Sequence, residues 1–137
     1  MPYGTANVDV IQSSTSGTPV KFNDGNGTQV GTLCRAWVNF NGTGTVAIRS
    51  SFNVSSITDN GTGAYTVNLT NALPDANYSV SGSVGDNTGG ASGCWFTTGF
   101  NVNSFNANQT TGSFRIQVYF STTQVTDVPI ISASVFR

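Results

Sequence analysis

The chain has 137 residues, of which 37% are hydrophobic, 11% aromatic and only 8% charged, with a formal net charge of −1. That apolar content suits a single domain with a packed core and argues against disorder. The few cations form no basic stripe, which excludes a nucleic-acid partner, and no apolar run approaches the roughly 18 residues of a membrane-inserted helix.

The chain starts Met1-Pro2-Tyr3-Gly4, without the charged and apolar regions of a signal peptide, so exit from a cell is expected to occur by lysis. Residues 1–32 are the least regular part and read as an N-terminal arm, a candidate attachment segment. Val8 and Val10 suggest one short strand. Val20 and Phe22 suggest a second, and Asn23-Asp24-Gly25-Asn26-Gly27 a turn before a return at Val30.

Residues 33–137 read as the main domain. Ala36, Val38 and Phe40 share one parity, and after a Gly-Thr-Gly turn Val46, Ile48, Phe52 and Val54 follow; Tyr65, Val67 and Leu69 form a third run. Successive side chains of a strand point to opposite faces, so each run predicts a strand with one face on a core. Trp37 falls in the first of these strands, with a buried or interface role as its default. Asn41-Gly42 and Asp59-Asn60-Gly61 stand where such strands must reverse, and Leu73-Pro74-Asp75 reads as a connection because proline cannot donate to a ladder.

Tyr78, Val80 and Val84 predict the next strand. The glycine-rich stretch Asp86 to Gly93 predicts a loop, and Cys94-Trp95-Phe96-Thr97 opens another strand. Phe100, Val102 and Phe105 continue a less regular apolar pattern. Phe114, Ile116, Val118 and Phe120 predict core positions, which puts Gln117 and Tyr119 on the solvated parity. Pro129 opens a last strand that ends at Phe136. Helix formers are scarce and β-formers abound, so the fold class is all-β, an antiparallel β-sandwich of about eight strands.

Chemistry is sparse. There is no histidine, so no triad built on one and no side chain that ordinarily titrates near neutral pH. The six aspartates are spread singly, several beside Asn, Gly or Pro in turns where a carboxylate bonds local backbone. This reads as a protein that is not an enzyme and needs no cofactor or metal. Calcium at Asp24-Gly25-Asn26 or Asp86-Asn87 is weighed against a plain turn, and the turn is preferred. Cys34 and Cys94 read as free, buried thiols rather than a bridge.

The motifs Ala36-Trp37-Val38-Asn39-Phe40-Asn41-Gly42-Thr43-Gly44, Asp59-Asn60-Gly61-Thr62-Gly63 with Tyr65-Thr66-Val67-Asn68, and Pro74-Asp75-Ala76-Asn77-Tyr78 resemble the C-terminal domains of bacteriophage tail fibres, cyanophage-like ones especially. Ile131 to Phe136 looks like that family's last strand. The resemblance covers about Leu33 to Asn77 well and is weak over the arm and over Gly85 to Asn108. It implies a virion surface module, assembled in the host cytoplasm, that forms a homotrimer and meets other virion proteins and a bacterial surface glycan.

The expected function is a tail-fibre or fibre-tip subunit that binds host polysaccharide. The alternative is a capsid decoration or head-fibre protein, favoured by the shortness of the chain. For the adhesive reading the expected ligand-binding residues are Asp86, Asn87, Trp95 and Tyr119. Glycines let a loop approach a ligand, amides and hydroxyls bond sugar hydroxyls, and an aromatic face meets the sugar ring. For Trp95 a core or trimer contact is the competing role, whereas Tyr119 is expected to be exposed.

Overall fold

The alternating runs resolve into ten strands in a computed structural model that describes residues 21–23, 28–30, 33–85, 94–98, 109–120 and 124–137. The chain forms two compact units, Met1–Leu33 and Cys34–Arg137. Within the first, β1 (Lys21–Asn23) and β2 (Thr28–Val30) pair antiparallel, with Lys21 opposite Val30, and the turn read between them lies outside the described residues. The strand read at Val8 and Val10 lies outside the described residues.

The second unit carries β3 (Cys34–Asn41), β4 (Ala47–Phe52), β5 (Val54–Asp59), β6 (Ala64–Leu69), β7 (Ser79–Gly85), β8 (Trp95–Thr98), β9 (Ser113–Tyr119) and β10 (Ile130–Phe136). They form two antiparallel four-stranded sheets, ordered β4-β3-β10-β7 and β5-β6-β9-β8. This is the β-sandwich expected from the pattern, and the described residues contain no helix.

The core lies between the sheets. Ala36, Val38, Phe40, Ile131, Ala133 and Val135 face it from the first, and Tyr65, Val67, Leu69, Phe114, Ile116 and Val118 from the second. Removing each large one from water contributes about 1.5–3 kcal/mol. The Phe40 and Tyr65 rings meet edge-on across this layer, with centroids 5.2 Å apart.

Two local devices shape the molecule. Between Ser50 and Ile48 the β4 register slips against Asn39 and Phe40, leaving Arg49 as the extra residue. Such a bulge inverts the parity of everything after it. Ile48 pairs with core Phe40 but, on an edge strand, is itself 37% exposed, whereas Phe52 pairs with Trp37 on the outer face and is 54% exposed. This corrects the placement of Phe52 in the core.

Asn53 then carries the chain from the first sheet to the second in a single residue, with φ of 55°. Asparagine tolerates this left-handed conformation better than most residues. Its side chain fixes the corner, since Nδ2 donates to the carbonyls of Arg35 (3.1 Å) and Asn71 (3.2 Å) and Oδ1 accepts from the Asn71 amide (2.8 Å).

At one end of the sandwich Tyr65 is a polar anchor in an apolar wall. Its hydroxyl lies 2.7 Å from Asp127 Oδ1 and 2.9 Å from the Gly42 carbonyl, and Asp127 Oδ1 also accepts the Gly63 amide at 2.7 Å. Gly42 is required here for closeness, because a Cβ would stand 2.5 Å from the Tyr65 hydroxyl and 2.9 Å from the Val128 carbonyl. At another corner Asp75 and Arg137 form an exposed two-point ion pair in which Nε donates to Oδ1 at 2.9 Å and Nη2 to Oδ2.

Candidate functional site

Strand alternation gives the second sheet an outer face as well defined as its core face. Reading across it, β5 presents Ser56 and Thr58, β6 Ala64, Thr66 and Asn68, β9 Ser113, Arg115, Gln117 and Tyr119, and β8 Trp95 and Thr97. Register fixes the neighbours: Thr58 beside Thr66 beside Arg115, then Ala64 beside Gln117 beside Thr97, then Tyr119 beside Trp95. The face is a lattice of amides and hydroxyls, with one cation in its middle and two aromatics at one edge.

The polar groups are tied to each other. Asn68 Nδ2 donates to Ser56 Oγ and Thr58 Oγ1, both at 3.0 Å, and Asn60 Nδ2 folds over the sheet to Thr66 Oγ1 at 2.9 Å. These bonds hold the amides in fixed orientations, with acceptor capacity left toward solvent. The small Ala64 side chain leaves a depression between the β5–β6 turn and β9. It is an open cavity of about 220 Å³ lined by Asn60, Gly61, Thr62 and Ala64 on one side and Arg115 and Gln117 on the other. The turn is a short reversal in which Gly61 (φ 109°) and Gly63 (φ 66°) take conformations that suit glycine, and Asp59 Oδ1 accepts the Gly61 amide at 2.9 Å.

The aromatic edge is held from behind. Phe96, one residue after Trp95, points inward and lies over Gly82 of β7, where an added Cβ would meet the ring at 2.7 Å. With Phe96 anchored inside, alternation sends Trp95 outward. Its indole stacks on the Tyr119 ring with centroids 6.0 Å apart and planes 14° from parallel. Trp95 keeps 39% of its surface exposed, whereas Tyr119 is 4% exposed and its hydroxyl is held protonated to higher pH by burial.

Of the expected ligand-binding residues, Trp95 and Tyr119 therefore come together, and Asp86 and Asn87 lie outside the described residues. Tyr119 sits on the predicted outer parity but is covered, which corrects the expectation that it is exposed. Trp95 is on the sheet's outer surface and is no part of the core. Gln117 is also on the outer parity and is nonetheless buried, at 6% exposure, on a central strand between Ala64 and Thr97. Phe120, read as a core position, is 43% exposed because β9 ends one residue earlier.

Arg115 was not singled out from sequence. The available signal was a cation on the polar parity of a strand whose other parity is wholly apolar. Cys34 and Cys94 are unpaired and half-buried, and Cys94 packs against the core. Among the described residues no group of three or more Cys, Asp, Glu or His side chains is placed to hold a metal. No family model matches the chain, and neither a curated protein nor a solved structure does.

Proposed function

We propose that this chain is a bacteriophage virion surface protein, a tail-fibre or fibre-tip subunit, that binds host cell-surface polysaccharide through the outer face of the β5-β6-β9-β8 sheet. The observation that carries the reading is the composition of that face. Preoriented amides and hydroxyls lie beside a half-exposed indole backed by a second ring. A sugar ring has the matching chemistry, with hydroxyls around its edge and an apolar C–H face. The phage assignment draws on the fibre-like motifs between Ala36 and Tyr78.

Binding of this kind is weak at each site and gains from repetition, so the reading includes a homotrimer that presents three such faces. The opposite sheet offers a surface for that contact. Trp37, 38% exposed, pairs with Phe52 across β3 and β4, beside the serine-rich outer faces of β7 and β10. The same pair favours one alternative, a capsid decoration that packs on neighbouring virion proteins. The test is adsorption of purified protein to host cells. Trp95→Ala should abolish adsorption while leaving the melting temperature and particle assembly intact. Adsorption that survives, together with particles that lose thermal stability, would favour decoration.

A further inference from the structure

Arg115 stands out once every aspartate of the described residues is accounted for. Asp75 is paired with Arg137. Asp127 accepts from the Tyr65 hydroxyl and the Gly63 amide. Asp59 accepts from the Gly61 amide, and it pairs across from core-facing Tyr65, which turns it away from the face that carries Thr58 and Arg115. Among the described residues no ion pair or side-chain hydrogen bond involves Arg115. It is half-buried, on a central strand, at the wall of the 220 Å³ cavity, and the rest of that wall is neutral.

A guanidinium in this position is partly removed from water, with no aspartate among the described residues paired to it to offset the loss. Its donors form a rigid planar fork that matches a carboxylate or sulfate with two parallel hydrogen bonds. We infer that the cavity is an anion subsite in which Arg115 holds the acidic group of a charged saccharide, a uronate carboxylate or a sulfate ester, while Asn60 and Gln117 meet neighbouring hydroxyls. The inference rests on the saccharide-binding reading of this face and narrows it from glycans in general to acidic ones. Trp95 lies at the far edge of the same face and supplies the apolar contact for an adjoining sugar unit.

Affinity electrophoresis in gels containing polygalacturonate, dextran sulfate or neutral dextran tests this. The wild-type chain should be retarded by one of the acidic polymers and much less by dextran; which acidic polymer acts identifies the group as carboxylate or sulfate. Arg115→Gln should weaken that interaction about tenfold to a hundredfold, as expected for a lost charge-assisted bond. Arg115→Lys, which keeps the charge and loses the fork, should recover only part of it. Arg49→Gln, an exposed cation on the other sheet, should change nothing.

Equal losses from Arg115→Gln and Arg49→Gln would mean diffuse charge attraction and would overturn the subsite. Trp95-dependent retardation by dextran that matches the acidic polymers and ignores Arg115 would overturn the subsite and leave the saccharide reading standing. No retardation by any polymer, with the folded state verified by circular dichroism, would remove both.

Discussion

Tyr65→Phe isolates the polar anchor at the end of the sandwich. The ring stays, so the edge contact with Phe40 and the volume of the site are kept and no cavity opens. What goes is a hydroxyl 2.7 Å from a carboxylate oxygen and 2.9 Å from a backbone carbonyl. The hydroxyl has one proton, which the two acceptors share, so the upper bound is that of a single hydrogen bond to a charged group, about 3 kcal/mol. Asp127 is exposed and regains water when the hydroxyl leaves, so its share largely returns. The Gly42 carbonyl lies in a buried pocket and does not. The expected loss is about 2 kcal/mol in urea unfolding with an unchanged m-value.

Tyr65→Ala, which also empties the ring's place, should cost more, about 3–5 kcal/mol. Gly42→Ala supplies the second arm. Its new methyl meets the hydroxyl first, at 2.5 Å, and also the Val128 carbonyl at 2.9 Å. In the Tyr65→Phe background the first clash is gone, so the two changes together should cost less than their sum, with a coupling of about 0.5–3 kcal/mol. A Tyr65→Phe loss below about 0.5 kcal/mol, or strict additivity with Gly42→Ala, would refute the anchor.

Other consequences are equally direct. Burial holds the Tyr65 hydroxyl well above its usual range, with Asp127 adding to the shift, and pushes Tyr78 up to about 12. The native state keeps protons that the unfolded chain releases from about pH 10, so stability is full below that pH and falls as pH rises toward 12; ultraviolet titration should show these tyrosines ionising only with unfolding. Ile116→Ala should cost about 2–5 kcal/mol, and Gln117→Ala, although on the outer parity, about 1–3 kcal/mol, both read by denaturant titration. Light scattering should give three times the 14.3 kDa chain mass, and Trp37→Ser with Phe52→Ser should reduce it to one; a monomeric wild type would end the trimer proposal.

The strands were legible wherever one face is apolar and the other polar, as in Tyr65 to Leu69 and Phe114 to Val118, because burial imposes the period directly. Phe52 was misplaced because a bulge is a property of two strands in register, and the sequence of one strand does not contain it. Asn53 looked like any polar residue between apolar neighbours; its role as the corner depends on carbonyls 18 residues away on either side. Nothing near Asp127 in sequence marks it as the partner of Tyr65, because the bond spans 62 positions. The site was legible as residue types, an indole after a glycine-rich loop and a tyrosine on the polar parity of its strand. Their stacking, and the cavity that joins Asn60 to Arg115, exist only once β5, β6, β8 and β9 are set side by side.

Amide chemical-shift mapping tests the central claim most directly. Isotope-labelled protein would be titrated with polygalacturonate oligosaccharide, dextran sulfate oligosaccharide and a bacterial surface polysaccharide fraction. The account predicts saturable shifts at Thr66, Arg115, Gln117, Trp95 and the Asn60–Gly61 turn, with the outer face of β3 and β10 silent. Shifts confined to that other face, or none with any of the three, would contradict it.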